Sequence, residues 1–341
     1  MNSIVILVDY LNRFGSKQKS KTYRSGMDLD KIKMYFEEKK FEVDILNISE
    51  SVFLLKEREP SYIIYTSSED HDGKYKSFIE DVILFLQDIG HICIPSYKFL
   101  RAHNNKVYME LLRTAFKLSD DTIFQTSYGA TIKELENKSL KYPVILKGAT
   151  GALSKAVLKA KNKIELIQGF RKINKKDDLK LRIHELIRRV RHRSHYIPES
   201  MIRGKSIIQN FISSIDYDYK VLVYFDTIFV LKRNNRKNDF RASGSGLFEY
   251  TREIPDSILN HAIAIRNQMD LPQLSLDIAI HDDQPITFEF QALYFGTKTI
   301  ENAPFYFKMS ADKTWSCHDV KNIILEQFYV DSIIKQIKSK L

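Results

Sequence analysis

Residues 3–9, SIVILVD, form an unbroken apolar run that ends on an acid, the pattern of a strand buried on both faces. A polar, Gly-containing loop follows, YLNRFGSKQKSKTYRSGMD. Leu29, Ile32, Tyr35 and Phe36 then recur at helical spacing behind an acidic start. EVDILNI and SYIIYTSS predict two more strands, KSFIEDVILFLQDIG a helix closed by Gly90, and HICIPS a further strand. Strand and helix alternate throughout this region, which predicts a small α/β domain with a mostly parallel sheet over residues 1–100.

After AHNNKVYMELLRTA, a helix opened by Asn104 or Asn105, the texture changes. YPVILKGATGALSKAVLKAKN predicts two strands joined by a small-residue loop, and a basic helical stretch covers 177–196. KSIIQNFISSIDYDYKVLVYFDTIFVLKRNN predicts strand, turn, strand and hairpin. DSILNHAIAIRNQM is helical, two strands follow it, and residues 318–341 predict a C-terminal helix. This part reads as antiparallel sheets with flanking helices, an α+β arrangement divided at 101–206 and 207–341.

The two strands after that helix carry the most chemistry. LSLDIAI (274–280) and QPITFEFQ (284–291) flank the turn HDDQP. Centring the hairpin on Asp283 sets Leu276, Ile278 and Ile280 opposite Phe290, Phe288 and Ile286. The same register sets Asp277 opposite Glu289 and Ser275 opposite Gln291, and a one-residue slip scatters both sets. Two carboxylates facing across a ladder repel. Either the face is solvated and tolerates this, or a cation sits there. Asp277, Glu289 and Gln291 offer hard oxygen ligands suited to Mg²⁺, and the face otherwise lacks charge, which favours the metal.

The chain has 341 residues, 43% apolar and 12% aromatic, which makes it globular. Lys and Arg (53) outnumber Asp and Glu (43), giving a formal charge of +10 that points to anionic partners such as nucleotides, phosphorylated compounds, nucleic acid or a lipid surface. Cys93 and Cys317 lack metal-ligand spacing, so a structural zinc or disulfide framework is not expected and a reducing, cytoplasmic setting fits. No stretch reaches membrane-spanning length, and the first residues lack a basic region or cleavage site.

Several basic segments carry two readings each. In the first loop, Arg13, Lys17 and Arg24 stand past the end of a strand, where α/β sheets bind ligands; they are substrate contacts or surface charges. Lys147 ends the strand YPVIL before GATGALSKA, whose small residues, Gly151 among them, let backbone N–H groups approach phosphate; alone, it reads as a strand-end lysine. No Walker A or G-x-G-x-x-G spacing is present. Lys232, Arg233, Arg236, Lys237 and Arg241 form a basic loop region able to neutralise polyphosphate or a developing acyl phosphate, or a solvated one.

Taken in order, these pieces resemble the ATP-grasp superfamily over roughly residues 100–300: a helix lysine, a strand–lysine–small loop, an apolar strand into a hinge, an arginine loop, then Asp…Glu-x-amide. The resemblance implies a small α/β pre-ATP-grasp domain followed by two α+β subdomains that clasp ATP. It implies that Lys106 and Lys147 contact phosphate and that the backbone at Phe211 and Ile212 holds adenine, with Asn210 where many members have glutamate. Asp218 matches the ribose or hinge acid of a D-x-R pattern in which Lys220 replaces arginine. Arg241, with Lys232, would act on the transferring phosphoryl group, and Ser243 holds a common asparagine position. Asp277, Glu289 and Gln291 match the magnesium ligands, glutamine replacing asparagine. The implied reaction begins when a substrate carboxylate attacks the γ-phosphate of Mg·ATP. An amine then displaces phosphate from the acyl phosphate, with no protein nucleophile.

The basic stretch, DDLKLRIHELIRRVRHRSHYIPES, is the least generic. Leu179, Ile183, Leu186, Ile187 and Val190 share one helical face, with Asp177 or Asp178 as N-cap, while Arg182, Arg188, Arg189, Arg191, His192 and Arg193 crowd the rest. A docked helix with a solvated basic face is one reading. A clamp for an anionic substrate, with Arg188 and Arg191 as contacts, or a surface for nucleic acid or anionic lipid, is the other. A carboxylate–amine ligase leads, its substrates small molecules of which at least one is anionic. An ATP-grasp kinase and a non-catalytic anionic-surface binder remain as alternatives. No aromatic residues interleave with the basic helix, which disfavours nucleic acid. A homodimer is compatible with everything above.

Overall fold

The computed structural model describes residues 3–70, 72–118, 126–149, 156–174, 179–213, 215–236, 244–310 and 312–340. Gly151, Arg241, Ser243, Lys237, Asp177 and Asp178 lie outside these residues. The chain forms two compact units, Asn104–Ser213 and a second built from Met1–His103 with Ser214–Leu341.

The first segment of the discontinuous unit carries β1 (Ser3–Val8), α1 (Leu29–Glu38), β2 (Glu42–Asn47), α2 (Ile48–Leu55), β3 (Tyr62–Tyr65), α3 (Lys74–Asp88), β4 (Ile92–Ile94) and α4 (Tyr97–Ala102). The strands make a parallel sheet of order β2-β1-β3-β4. The apolar run of β1 takes its centre, where both faces are covered. Helix α2 escapes the sequence pattern because no polar loop precedes it. Asn47 ends β2 and also caps α2, accepting from Ser49 N at 3.0 Å.

The continuous unit holds α5 (Lys106–Ala115), β5 (Thr126–Thr131), α6 (Ile132–Glu136), β6 (Val144–Gly148), β7 (Val157–Ala160), α7 (Lys163–Asn174), α8 (Leu179–His192) and β8 (Arg203–Asn210). Its antiparallel sheet, β5-β8-β6-β7, packs Val144, Leu146 and Ile208 against Leu166 and Phe170 of α7. A boundary at 206/207 would cut β8 in the middle of its pairing with β6, where Lys147 faces Ile207 and Gly148 faces Ser206; the strand keeps that segment with the continuous unit.

The last segment contains β9 (Tyr217–Tyr224), β10 (Thr227–Asn234), β11 (Phe248–Glu249), α9 (Asp256–Met269), β12 (Gln273–His281), β13 (Gln284–Gln291), α10 (Lys298–Glu301), β14 (Phe305–Met309), β15 (Trp315–Asp319) and α11 (Leu325–Lys338). The sheet order is β13-β12-β9-β10-β14-β15, with β11 also on β10. Residues 315–319 pair with β14 as an edge strand, so the C-terminal helix begins later than its apolar pattern suggests. Ile4, Ile6 and Val8 of β1 share one core with Leu222 and Tyr224 of β9, Phe229 of β10 and Leu325, Val330 and Ile333 of α11. Residues 1–100 are therefore not a separate domain: their core is completed by the C-terminal segment, at about 1.5–3 kcal/mol for each large apolar side chain buried.

The hairpin keeps the expected register at the end away from its turn, with Ser275 opposite Gln291, Leu276 opposite Phe290 and Asp277 opposite Glu289. Beyond Asp277 a bulge intervenes. Ile278 faces Thr287, Ala279 faces Ile286 and Ile280 faces Pro285, so the pairs Ile278–Phe288 and Ile280–Ile286 do not form. The turn is the two-residue Asp282–Asp283, both in the left-handed region at φ 49° and 58°, which aspartate tolerates. The bulge accommodates Thr287, which is fully buried and whose hydroxyl lies 2.8 Å from Nε2 of His261.

Candidate active site

One face of the large sheet collects charge from four strands. The ladder runs Glu289–Asp277–Lys220, and Asp218 sits opposite Arg233 on the neighbouring pair. Lys220 Nζ donates to Asp277 Oδ1 at 2.9 Å. Arg233 donates from Nε and Nη2 to the two oxygens of Asp218 at 2.6 and 2.8 Å, and the same Nη2 lies 3.0 Å from Asp277 Oδ2. Its planar fork holds both acids at once.

Desolvation works against an ionised Asp277, yet Arg233 and Lys220 hold its carboxyl well below the usual carboxylate range. Burial pushes Asp218 up to about 6 against the pull of Arg233, and the Asp277 charge adds to the rise. The face is thus not short of charge. Lys220 and Arg233 relieve the Asp277–Glu289 repulsion without a metal, which overturns the argument that the repulsion alone requires one.

Whether magnesium fits is a question of donor chemistry. Among Asp218, Asp277, Glu289, Lys220 and Arg233, three acids face two bases, leaving one excess negative charge. Gln291 donates from Nε2 to Glu289 Oε1 at 3.4 Å, which brings the amide beside that carboxylate. Ser275, two residues before Asp277 on the same strand face, has a buried hydroxyl with no hydrogen-bond partner among the described residues. No group of three His, Cys, Asp or Glu side chains suited to a metal occurs among the described residues. Two carboxylates and an amide suit Mg²⁺, which commonly takes one or two carboxylates and fills its other positions with water and phosphate oxygens.

Two expected roles move. Both Asp218 oxygens accept from Arg233, which draws Asp218 into the carboxylate cluster around Asp277. Lys232 alternates to the other face of β10, where it covers the Tyr217 ring at 4.5 Å and approaches Glu249 at 3.8 Å. Its neighbour Arg233 occupies the face that carries Asp218 and Asp277. Strand alternation from Asp218 and Asp277 could have selected Arg233 in the sequence.

In the continuous unit, Lys106 opens α5 under the Asn105 cap, and its backbone N–H donates to the Ala149 carbonyl at 2.9 Å. The helix start therefore adjoins the segment just after β6, two residues beyond the half-buried Lys147. Phe211 spends its N–H on the Pro143 carbonyl at 3.3 Å, and Lys159 stands 3.4 Å from its ring centroid. An adenine contact there would use the Phe211 carbonyl or Ile212.

The first loop lies at the C-terminal ends of β1 and β3. Arg13 is clamped to Asp9, with Nε and Nη2 both 2.8 Å from Oδ2. Lys17 reaches Glu326 at 2.6 Å, and that carboxylate is fully buried. Lys17 is thus a structural tie to α11 and not a substrate contact. We expect Lys17→Met to cost about 2 kcal/mol in denaturant unfolding, discounted because the lysine is partly exposed, while substrate KM stays unchanged. Arg24 is exposed over the Tyr23 ring at 5.3 Å. Beside this loop, buried His103 places Nδ1 2.8 Å from the Ser67 hydroxyl and Nε2 3.7 Å from Glu69. Tyr294 meets the His103 ring edge-on at 5.7 Å. Tyr294 lies three residues past Gln291, so the carboxylate strand runs straight into this second cluster. No sequence spacing linked Ser67, His103 and Tyr294.

Arg188 and Arg191 are exposed on α8 of the continuous unit. No family model and no curated protein matches the chain. Among solved structures, D-cycloserine synthetase superposes with a TM-score of 0.55 at 9% identity, covering 98% of this chain and 99% of that one. The RiPP-associated ATP-grasp ligase of Chryseobacterium gregarium, solved with ADP and a leader and core peptide, gives 0.51 at 11% identity, covering 98% and 97%. The chain has the ATP-grasp fold.

Proposed function

We propose that this protein is an ATP-dependent ligase that joins a carboxylate to an amine through an acyl phosphate. The observation that carries the reading is the Asp277–Glu289 pair with its fixed cations, set on an ATP-grasp fold. The synthetase and the ligase that share the fold lend it support. Asp277, Glu289 and Gln291 would hold Mg²⁺, which when bound screens phosphate charge and orients the γ-phosphate. Arg233 and Lys220 keep Asp277 ionised at neutral pH, so the metal ligand needs no deprotonation. Lys106 and Lys147 would contact phosphates, and the backbone at Phe211 and Ile212 the adenine. Arg241 would neutralise the transferring group. The loop bearing Arg13 and Arg24, with Ser67, His103 and Tyr294, would orient the carboxylate or amine substrate.

The test is ADP and phosphate release over pairs of carboxylates and amines, with and without Mg²⁺. A ligase releases both products only when a matching pair is present. ADP without phosphate identifies a small-molecule kinase instead. Metal-independent silence across all pairs, with ATP unbound, rejects both.

A further inference from the structure

Helix α8 turns the wrong way for a docked amphipathic helix. Ile183, Leu186, Ile187 and Val190 form the i, i+3, i+4, i+7 stripe that normally faces a core. Here they are 49%, 63%, 55% and 68% exposed. Among the described side chains of the helix the buried one is Glu185, which accepts from the Tyr196 hydroxyl at 2.6 Å and lies 3.6 Å from Arg189 Nε. It is the lone carboxylate between residues 179 and 195. Lys180, Arg182 and Arg191 flank the stripe at helical spacing, Arg193 follows in the next turn, and Arg188 and Arg189 lie toward the Glu185 side, where Arg189 pairs with that acid. An outward aliphatic stripe flanked by long cations, with its one acid turned inward, is a surface arranged for an apolar and anionic partner.

We propose that α8 seats this protein on a membrane surface rich in anionic phospholipid. The stripe would enter the acyl boundary while the arginine and lysine stems extend to the headgroup phosphates. A second copy is a poor occupant, because pairing two such faces opposes cation to cation. An acidic protein could match the charge, but a convex helix of aliphatic side chains presents no pocket to select a folded shape, whereas a fluid headgroup layer conforms to it. The inference stands apart from the ligase reading, since it uses none of the residues assigned to ATP or metal.

The experiment is co-sedimentation of the full chain with vesicles of phosphatidylcholine alone or mixed equally with phosphatidylglycerol. Binding is expected on the mixed vesicles and not on the neutral ones. Raising salt from about 0.1 to 1 M, which shortens the screening length from about 10 to 3 Å, should release much of it. Ile183→Gln with Val190→Gln should weaken partitioning by about tenfold for each residue, with an unchanged melting temperature because both positions are exposed. Equal binding to both vesicle types overturns the proposal, as does a double variant that binds like wild type. So does retention on an acidic polypeptide without any vesicle binding. If the double variant loses its fold, the lipid and salt dependence of the wild type still decides.

Discussion

Replacing Asp277 with asparagine should cut Mg²⁺-dependent ADP release by at least about a hundredfold, the scale on which loss of one focused electrostatic contact reduces turnover. Asparagine keeps the size and one acceptor oxygen but removes the charge that Lys220 and Arg233 hold in place. The variant should also lose about 2–3 kcal/mol of stability, because two largely buried cations are then left to share Asp218. Glu289→Gln should lose turnover to a similar degree with less effect on stability, since Glu289 is only half-buried. Steady-state ADP release and denaturant unfolding of the two variants give this split directly. Turnover within a factor of about two of wild type in both would remove the metal assignment and leave the cluster a structural ion network.

The second large effect belongs to Arg233. Arg233→Met leaves Asp218 and Asp277 close together without their shared guanidinium, and breaking such a pair typically costs about 3–5 kcal/mol. The cost should grow with pH. In the wild type the depressed Asp277 contributes stability that is present above its unfolded pKa near 4 and is lost as pH falls below it. Asp218, raised to about 6, works the other way: the folded state holds its proton more tightly, so its contribution declines as pH rises from about 4 through 6. Without Arg233 both carboxyls shift upward and the second behaviour dominates. Urea unfolding from pH 5 to 8 should show the variant nearest to wild type at the acidic end. Lys232→Met, on the opposite face of the strand, is the comparison. Equal stability of the two variants at pH 8 would mean that Arg233 does not hold the acids.

The parts of this molecule that could be read in advance are those where one periodicity governs a whole element. The apolar run of β1 and the helical spacing of α9 left little choice of conformation. The hairpin register was readable at Asp277–Glu289 because apolar and polar rows agreed there. It failed nearer the turn, where the bulge is tied to the contact between Thr287 and His261, whose partners stand 26 residues apart. The cations of the site were hidden differently. Lys220 and Arg233 look like ordinary strand residues until the order β12-β9-β10 sets them beside Asp277. Lys17 looked available for a ligand because its buried partner, Glu326, stands 309 positions away.

The discontinuous unit also bears on how the chain is made. Strand β1 leaves the ribosome more than 200 residues ahead of α11, yet Ile4 and Ile6 find part of their core in its Val330 and Ile333. The intervening segment, Asn104–Ser213, has its own core and can close while the earlier strands are still waiting. Such long-range closure slows folding and leaves apolar strands uncovered meanwhile. Truncation ahead of Leu325 would therefore strip the nascent parallel sheet of its cover and make it a substrate for chaperones rather than a smaller folded protein.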